Sequence, residues 1–213
     1  VASPWKETPV MARYTAEHKE ATRRRMIETA GRRFKADGFD GSGIATLVAD
    51  AGLTNGAFYG HFASKDDLIA SVVTQQLADQ VAVVDALPDL EAVVGYLREY
   101  LSPAHRDDPA GGCPSAALLD EVARCDLPVR EAYTAGSLAM IQAITRHLDG
   151  RDPDRVTEQA IGLFSLLVGS LQLARAVTDP DLSDRILAAA YDNAMTLIGA
   201  SGRAGSSTNQ EQE

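Results

Sequence analysis

The sequence predicts an all-α protein, and three observations carry that expectation. Apolar residues recur at three- and four-residue spacings along most of the chain, with no continuous alternation of the β type. Ala and Leu abound while aromatics make up only 6%, a composition that favours helices. The pairs Asp152-Pro153 and Asp179-Pro180 each set a capping carboxylate before a proline, which is a helix start signal. At 213 residues and 45% hydrophobic content, the chain suits one large or two small domains with a real core.

Residues 1–14 carry two prolines and read as a flexible arm. A first helix is expected over 15–37, with Met26, Ile27, Ala30 and Phe34 as its buried stripe. Arg23, Arg24 and Arg25 form one basic turn of it, and Arg32, Arg33 and Lys35 another. Most of these are expected at the solvated surface, with Arg23 or Arg24 a candidate phosphate contact. Gly38 closes the helix. Ile44, Leu47, Val48 and Ala51 then repeat on one helical face, with Ser42 as candidate N-cap and Gly52 as the stop. Thr54 caps a second, very short helix over 55–60, which Phe58 and Phe62 hold down at i, i+4. Helices are further expected over 64–86, 89–101, 114–124, 128–150, 153–177 and 180–200, about nine in all. Residues 102–112 read as a loop, and the polar tail 201–213 as disordered.

Helix, glycine turn, helix over residues 43–62 is the helix-turn-helix arrangement. By spacing alone it is equally an ordinary helical hairpin. Its second helix, however, is small at its start, with Asn55, Gly56 and Ala57. A helix that enters a DNA major groove needs slim residues and a few donors there. Thr54, Asn55 and Ala57, then Thr46, are the candidate base contacts. Ser42, Gly56, Tyr59, His61 and Lys65 are the candidate backbone contacts.

Net charge is −10, which argues against a nucleic-acid binder until its distribution is read. Residues 1–65 hold ten Lys+Arg against seven Asp+Glu, and include all four lysines. Residues 66–213 hold ten against twenty-three. A basic head on an acidic body concentrates attraction for phosphate at one end.

The wording of the motif is more specific than its spacing. Ala51-Gly52-Leu53-Thr54, Gly56, Phe58-Tyr59, His61-Phe62, Ser64-Lys65 and Leu68 resemble the signature of the tetracycline-repressor (TetR) family. Met26-Ile27, Ala30, Phe34 and Gly38-Phe39 fit that family's first helix. The resemblance covers roughly residues 20–70. Leu47-Val48 stands where Ile-Ala is commoner, and Ala57-Phe58 where Thr-Leu is commoner, which bears on operator preference more than on membership. The resemblance implies a DNA-binding domain over 15–70 and a ligand-binding and dimerisation domain over 71–200. It also implies a homodimer that binds a near-palindromic double-stranded operator, usually blocks transcription, and is released by a small-molecule effector. The helix over 64–86 spans both parts and is the candidate transmitter.

Candidate pocket residues are Tyr96, Tyr100, Cys113, Leu118, Tyr133, Met140 and Gln172, each of which has plain core packing as its alternative. Cys113 precedes Pro114 at an expected helix start and is a candidate thiol sensor. The helix over 153–177 is apolar nearly all round. Gly162, Ser165 and Gly169 on it, with Ile186, Ala190 and Ala194 on the next, form the candidate dimer interface. A wholly intramolecular core is the alternative. The polar interruptions of that helix argue against a membrane span.

No phosphate-binding glycine loop, nucleophile elbow or HExxH motif is present, and the four histidines are scattered. The expectation is therefore a non-enzyme without cofactor or metal. Two cysteines and a polar first segment suggest a reducing cytoplasm. Two functions compete: a helical adaptor whose helix-turn-helix binds protein rather than DNA, and a small enzyme in an all-α shell, against which the lack of convergent acid–base groups argues.

Overall fold

The structure is a computed structural model and describes residues 9–203. Residues 1–8 of the expected arm and 204–213 of the expected tail lie outside the described residues. Ten helices follow in order: α1 (Pro9–Asp37), α2 (Ile44–Asp50), α3 (Asn55–Tyr59), α4 (Lys65–Asp85), α5 (Leu90–Tyr100), α6 (Pro103–Asp107), α7 (Pro114–Val122), α8 (Leu127–Thr145), α9 (Pro153–Ala176) and α10 (Pro180–Arg203). Among the described residues there is no strand.

Local chemistry accounts for most helix starts. Ser64 accepts from Asp67 N–H, Asp89 from Ala92 N–H, and Asp152 from Asp154 and Arg155 N–H. Asp179 accepts from Asp181 and Leu182 N–H. Each cap satisfies donors that the helix itself leaves unpaired. The same device adds a helix where a loop is expected. Ser102 accepts from His105 N–H at 3.2 Å and Pro103 takes the first-turn position, so residues 103–107 wind into α6. α1 begins at Pro9, ahead of the expected Thr15.

Two apolar clusters organise the chain. The first gathers Met26, Ile27, Phe34, Leu47, Phe58, Phe62 and Leu68 around α1–α3 and the start of α4. It also takes in Leu118, Val122 and Val129 from α7 and α8. The second joins α5, α7, α8, α9, α10 and the end of α4, through Val84, Leu97, Ala143, Leu167 and Leu171 among others. α4 therefore runs from one cluster into the other, with Leu77 in the first and Val84 in the second. It packs chiefly on α8. The approach is tight at Gly136, where a Cβ would lie 2.4 Å from Leu77 Cδ1. No larger residue fits there without moving one helix.

Three expectations are corrected by this packing. Ser42 does not cap α2; Gly43 takes that place without a side-chain bond, and Ser42 is buried with its hydroxyl donating to Gly38 O at 3.2 Å. Ala190 and Ala194 face inward, 3% and 0% exposed, in the protomer's own core. Their small side chains let α10 lie against α9 within one chain, and Ile186 packs on the same cluster. Lys35, expected on the solvated surface, is half-buried and donates to Gly112 O at 2.8 Å.

Candidate functional site

Two sites emerge, one convex and one concave. The convex site is built on α2 and α3. Gly52, at φ +67°, supplies the left-handed turn between them that side-chain-bearing residues adopt poorly. Thr54 caps α3 by accepting from Ala57 N–H at 3.4 Å, which leaves its hydroxyl proton free to donate. Phe58 and Phe62 are buried, their ring centroids 5.7 Å apart, and fix the underside of the short helix. The other face is open. Thr46, Thr54, Asn55, Gly56 and Tyr59 are all exposed, Tyr59 at 66%. Ala57 is half-buried against the core, so only part of it faces outward.

The flanking cations are less free than their sequence suggests. Lys65 Nζ donates to Phe39 O at 2.5 Å, which turns its ammonium back onto the α1–α2 turn. What Lys65 still offers outward is its position at the first turn of α4. Arg23 lies over the Phe62 ring at 5.0 Å and donates to Ser71 Oγ at 2.9 Å, whereas Arg24 is exposed. Arg33 bridges Asp37 and Asp50, each at 2.8 Å, and ties α1 to α2. His61 is half-buried with Nδ1 unpartnered. Burial lowers its pKa, and the nearby Lys19 and Arg23 lower it further.

The concave site lies in the body. An apolar cavity of about 40 Å³ is enclosed by α4, α5, α8 and α9, with Val84, Leu97, Ile144, Leu163, Phe164 and Leu167 among its walls. A wider polar recess of about 380 Å³ adjoins it, lined by Glu99, Ala104, His105, Asp108, Gly111 and Gly112. Gln80, Tyr96, Tyr100 and Cys113 line both and form the partition between them. The structure thus brings together Tyr96, Tyr100, Cys113 and Met140 of the expected set. It does not bring in the others. Leu118 and Tyr133 belong to the head's cluster, and Gln172 lines neither space.

Hydrogen bonds fix the partition's protons. Cys113 N–H donates to His105 Nε2 at 3.1 Å, so that nitrogen is the acceptor. The ring's proton then sits on Nδ1, which lies 2.7 Å from Tyr100 O. Burial lowers the His105 pKa against the opposing effect of that carbonyl. The Cys113 thiol, 1% exposed, donates to Gln80 Oε1 at 3.5 Å. The loop 108–113 that carries Cys113 is the same loop Lys35 holds from α1. A second link runs from Phe39 N–H to Glu121 Oε2 at 2.6 Å. Gln80, His105, His147 and Lys35 were absent from the expected sites. Only Gln80 left a readable trace, as a polar residue three after Leu77 and four before Val84 on a buried stripe.

A glycine-turned helix pair presented on a separate helical body defines a helix-turn-helix protein with a second, cavity-bearing region. Residues 26–72 match the family described as bacterial regulatory proteins, tetR family. Among curated relatives, it is 34% identical over 62 residues to the HTH-type transcriptional regulator AcrR of Shigella flexneri, covering 29% of each chain. It is 35% identical over 80 residues to the regulator SrpR of Pseudomonas putida, covering 38% of this chain and 37% of that one. The matched stretch is thus about a third of the length of those relatives. The fold is shared more widely. Escherichia coli NemR in its reduced form superposes with TM-score 0.69 at 21% identity, over 83% of this chain and 97% of that one. A TetR transcriptional regulator from Legionella pneumophila gives 0.69 at 17%, over 82% and 95%.

Proposed function

We propose that the chain is a ligand-responsive transcriptional repressor that binds duplex DNA as a homodimer. The observation that carries this reading is the open face of α3. Thr54, Asn55, Gly56 and Tyr59 stand in solvent on a helix whose other side is locked by Phe58 and Phe62. In the reading, that face enters the major groove, Thr54 and Asn55 meet base edges, and Tyr59, His61 and the start of α4 meet phosphates. Ser42 has no part in it, being buried.

Dimerisation is assigned to the outer faces of α9 and α10. Gly162, Ser165 and Gly169 are exposed, and a Cβ at either glycine would meet nothing within 4 Å. Exposed Ile161, Leu173 and Leu182 supply the apolar area. α9 is long and apolar enough to cross a membrane by length and composition, with 33% of that window buried. A helical partner face explains the same apolar surplus while leaving its inner side in the core.

An effector in the body would act by preferring the state in which the two α3 helices no longer match the operator. α4 passes between the clusters and is the expected transmitter, and the Lys35–Gly112 link supplies a second path from cavity to α1. The test is selection of bound duplexes from a random pool, followed by gel shifts over a salt series and sedimentation of the free protein. Expected are a palindromic consensus, affinity falling steeply with salt, and a dimer. A monomer with no duplex affinity at low salt overturns the reading.

A further inference from the structure

We infer that the body cavity binds an uncharged, mainly apolar small molecule through an acceptor oxygen, received by the Tyr100 hydroxyl. This rests on the effector reading above and names the chemistry of its ligand.

The first argument is an unanswered donor. Tyr100 is 6% exposed, and its buried hydroxyl has no nitrogen or oxygen partner; its neighbour is the Cys113 sulfur, a weak acceptor whose own proton goes to Gln80 Oε1. A buried polar group left unpaired costs free energy that a ligand can recover by pairing it. Tyr100 lines both the apolar cavity and the polar recess. Burial, and then the neighbouring Cys113, raise the pKa of Tyr100, and the same two causes raise that of Tyr96. Both phenols therefore keep their protons and remain donors.

The second argument is the character of the partners around it. The Cys113 thiol takes one of the two acceptor sites of Gln80 Oε1, and the amide N–H₂ of Gln80 adds two donors. Tyr100, Tyr96 and Gln80 together make a donor-rich corner, which calls for an acceptor such as a ketone, quinone or ester oxygen. The third argument is charge. No Asp, Glu, Lys or Arg lines the apolar cavity. The cations behind the loop are committed to carbonyls, Lys35 to Gly112 O and Arg175 to His105, Arg106 and Ala116 O. A charge placed in the apolar cavity would lose its hydration and find no counter-charge there; Glu99 and Asp108 line only the wider recess, which is more open to water. The cavity's 40 Å³ is smaller than a ring-bearing ligand needs. The ligand must therefore press the partition toward the recess, the side on which loop 108–113 meets Lys35.

Three one-ring probes of one shape separate the possibilities: acetophenone, its hydrocarbon isostere α-methylstyrene, and 1-phenylethylammonium. Binding to the full chain is measured by calorimetry without DNA, so a failure of operator binding does not touch the result. Acetophenone is expected to bind about fivefold tighter than α-methylstyrene, one neutral hydrogen bond's worth, and the cation weakest. Tyr100→Phe should bring acetophenone down to the hydrocarbon's affinity and leave the hydrocarbon unchanged. Equal binding of ketone and hydrocarbon by the native chain, tightest binding of the cation, or no binding of any probe overturns the inference. So does a Tyr100→Phe chain that retains the ketone's advantage.

Discussion

The head and the body solve opposite problems with one material. In the head, side chains must stand away from the core, so a five-residue helix is pinned from beneath by Phe58 and Phe62 and left bare above. In the body, side chains must turn inward, so helices far apart in sequence close around a space that Gln80, Tyr96, Tyr100, Cys113 and Met140 share. The first arrangement is local and rigid. The second depends on long-range packing, and it leaves the Tyr100 hydroxyl buried without a partner beside the cavity. Under the proposed function, recognition would reside in a short run of sequence and response in the assembly.

The sharpest way to break that contrast is to ask whether the two regions fold apart. Leu118, Val122 and Val129 of the body lie in the head's cluster, so a large cavity in the head should be felt throughout. Phe58→Ala, at a site that is 0% exposed, is expected to cost about 3–5 kcal/mol. Denaturant unfolding at fixed protein concentration should still show one transition. Two separate transitions would mean that the head is an independent unit.

A smaller change should separate roles within the head. Asn55→Ala is expected to cost about 1–3 kcal/mol at one base position and relax preference there. Tyr59→Ala should weaken every duplex alike. Competition gel shifts against operator variants distinguish the two patterns. Uniform loss for Asn55→Ala would place Asn55 on the phosphates instead.

Smaller still is the effect across the junction. Lys35→Met keeps the length of the side chain but removes the donor to Gly112 O. DNA affinity without effector and effector affinity without DNA should both change little. The coupling between them should fall by about 1 kcal/mol. An unchanged coupling would leave α4 as the transmitter and Lys35 as a structural strut.

These differences also explain what could be read from the chain. The helices were legible because their caps and stripes are local, as at Ser64, Asp89 and Asp152. The short helix after Ser102 was missed although its cap and proline are there, because Gly and Pro nearby read as loop. In the head, Thr54, Asn55 and Tyr59 lie within six consecutive residues, so motif and surface coincide. Ser42 misled because its type suits a cap while its burial depends on Gly38 and the fold of the turn. In the body, Leu118 and Tyr133 have the same apolar character as Tyr100 and Met140. Which cluster each joins depends on the crossing of α4, α7 and α8, which no periodicity reports. Ala190 and Ala194 failed likewise: small residues allow close approach, and here the partner is α9 of the same chain.

The last distinction concerns protons. His61 in the head and His105 in the body both have lowered pKa values, burial being the first cause in each. Their surroundings differ. His61 has an unpartnered Nδ1 and faces Lys19 and Arg23. His105 Nε2 must accept from Cys113 N–H, and a proton there would set two donors against each other. A histidine with a folded pKa below its unfolded value binds protons more readily when unfolded. Its contribution is therefore present above the unfolded pKa, near 6.5, and is lost as pH falls through the window below it. Between pH 7.5 and 5.5 the native chain should lose stability, and His105→Gln should lose less over the same span, read as the change in urea midpoint at each pH. If the His105→Gln chain keeps the full pH dependence, the titration belongs elsewhere, and the hydrogen-bonded partition is not what senses it.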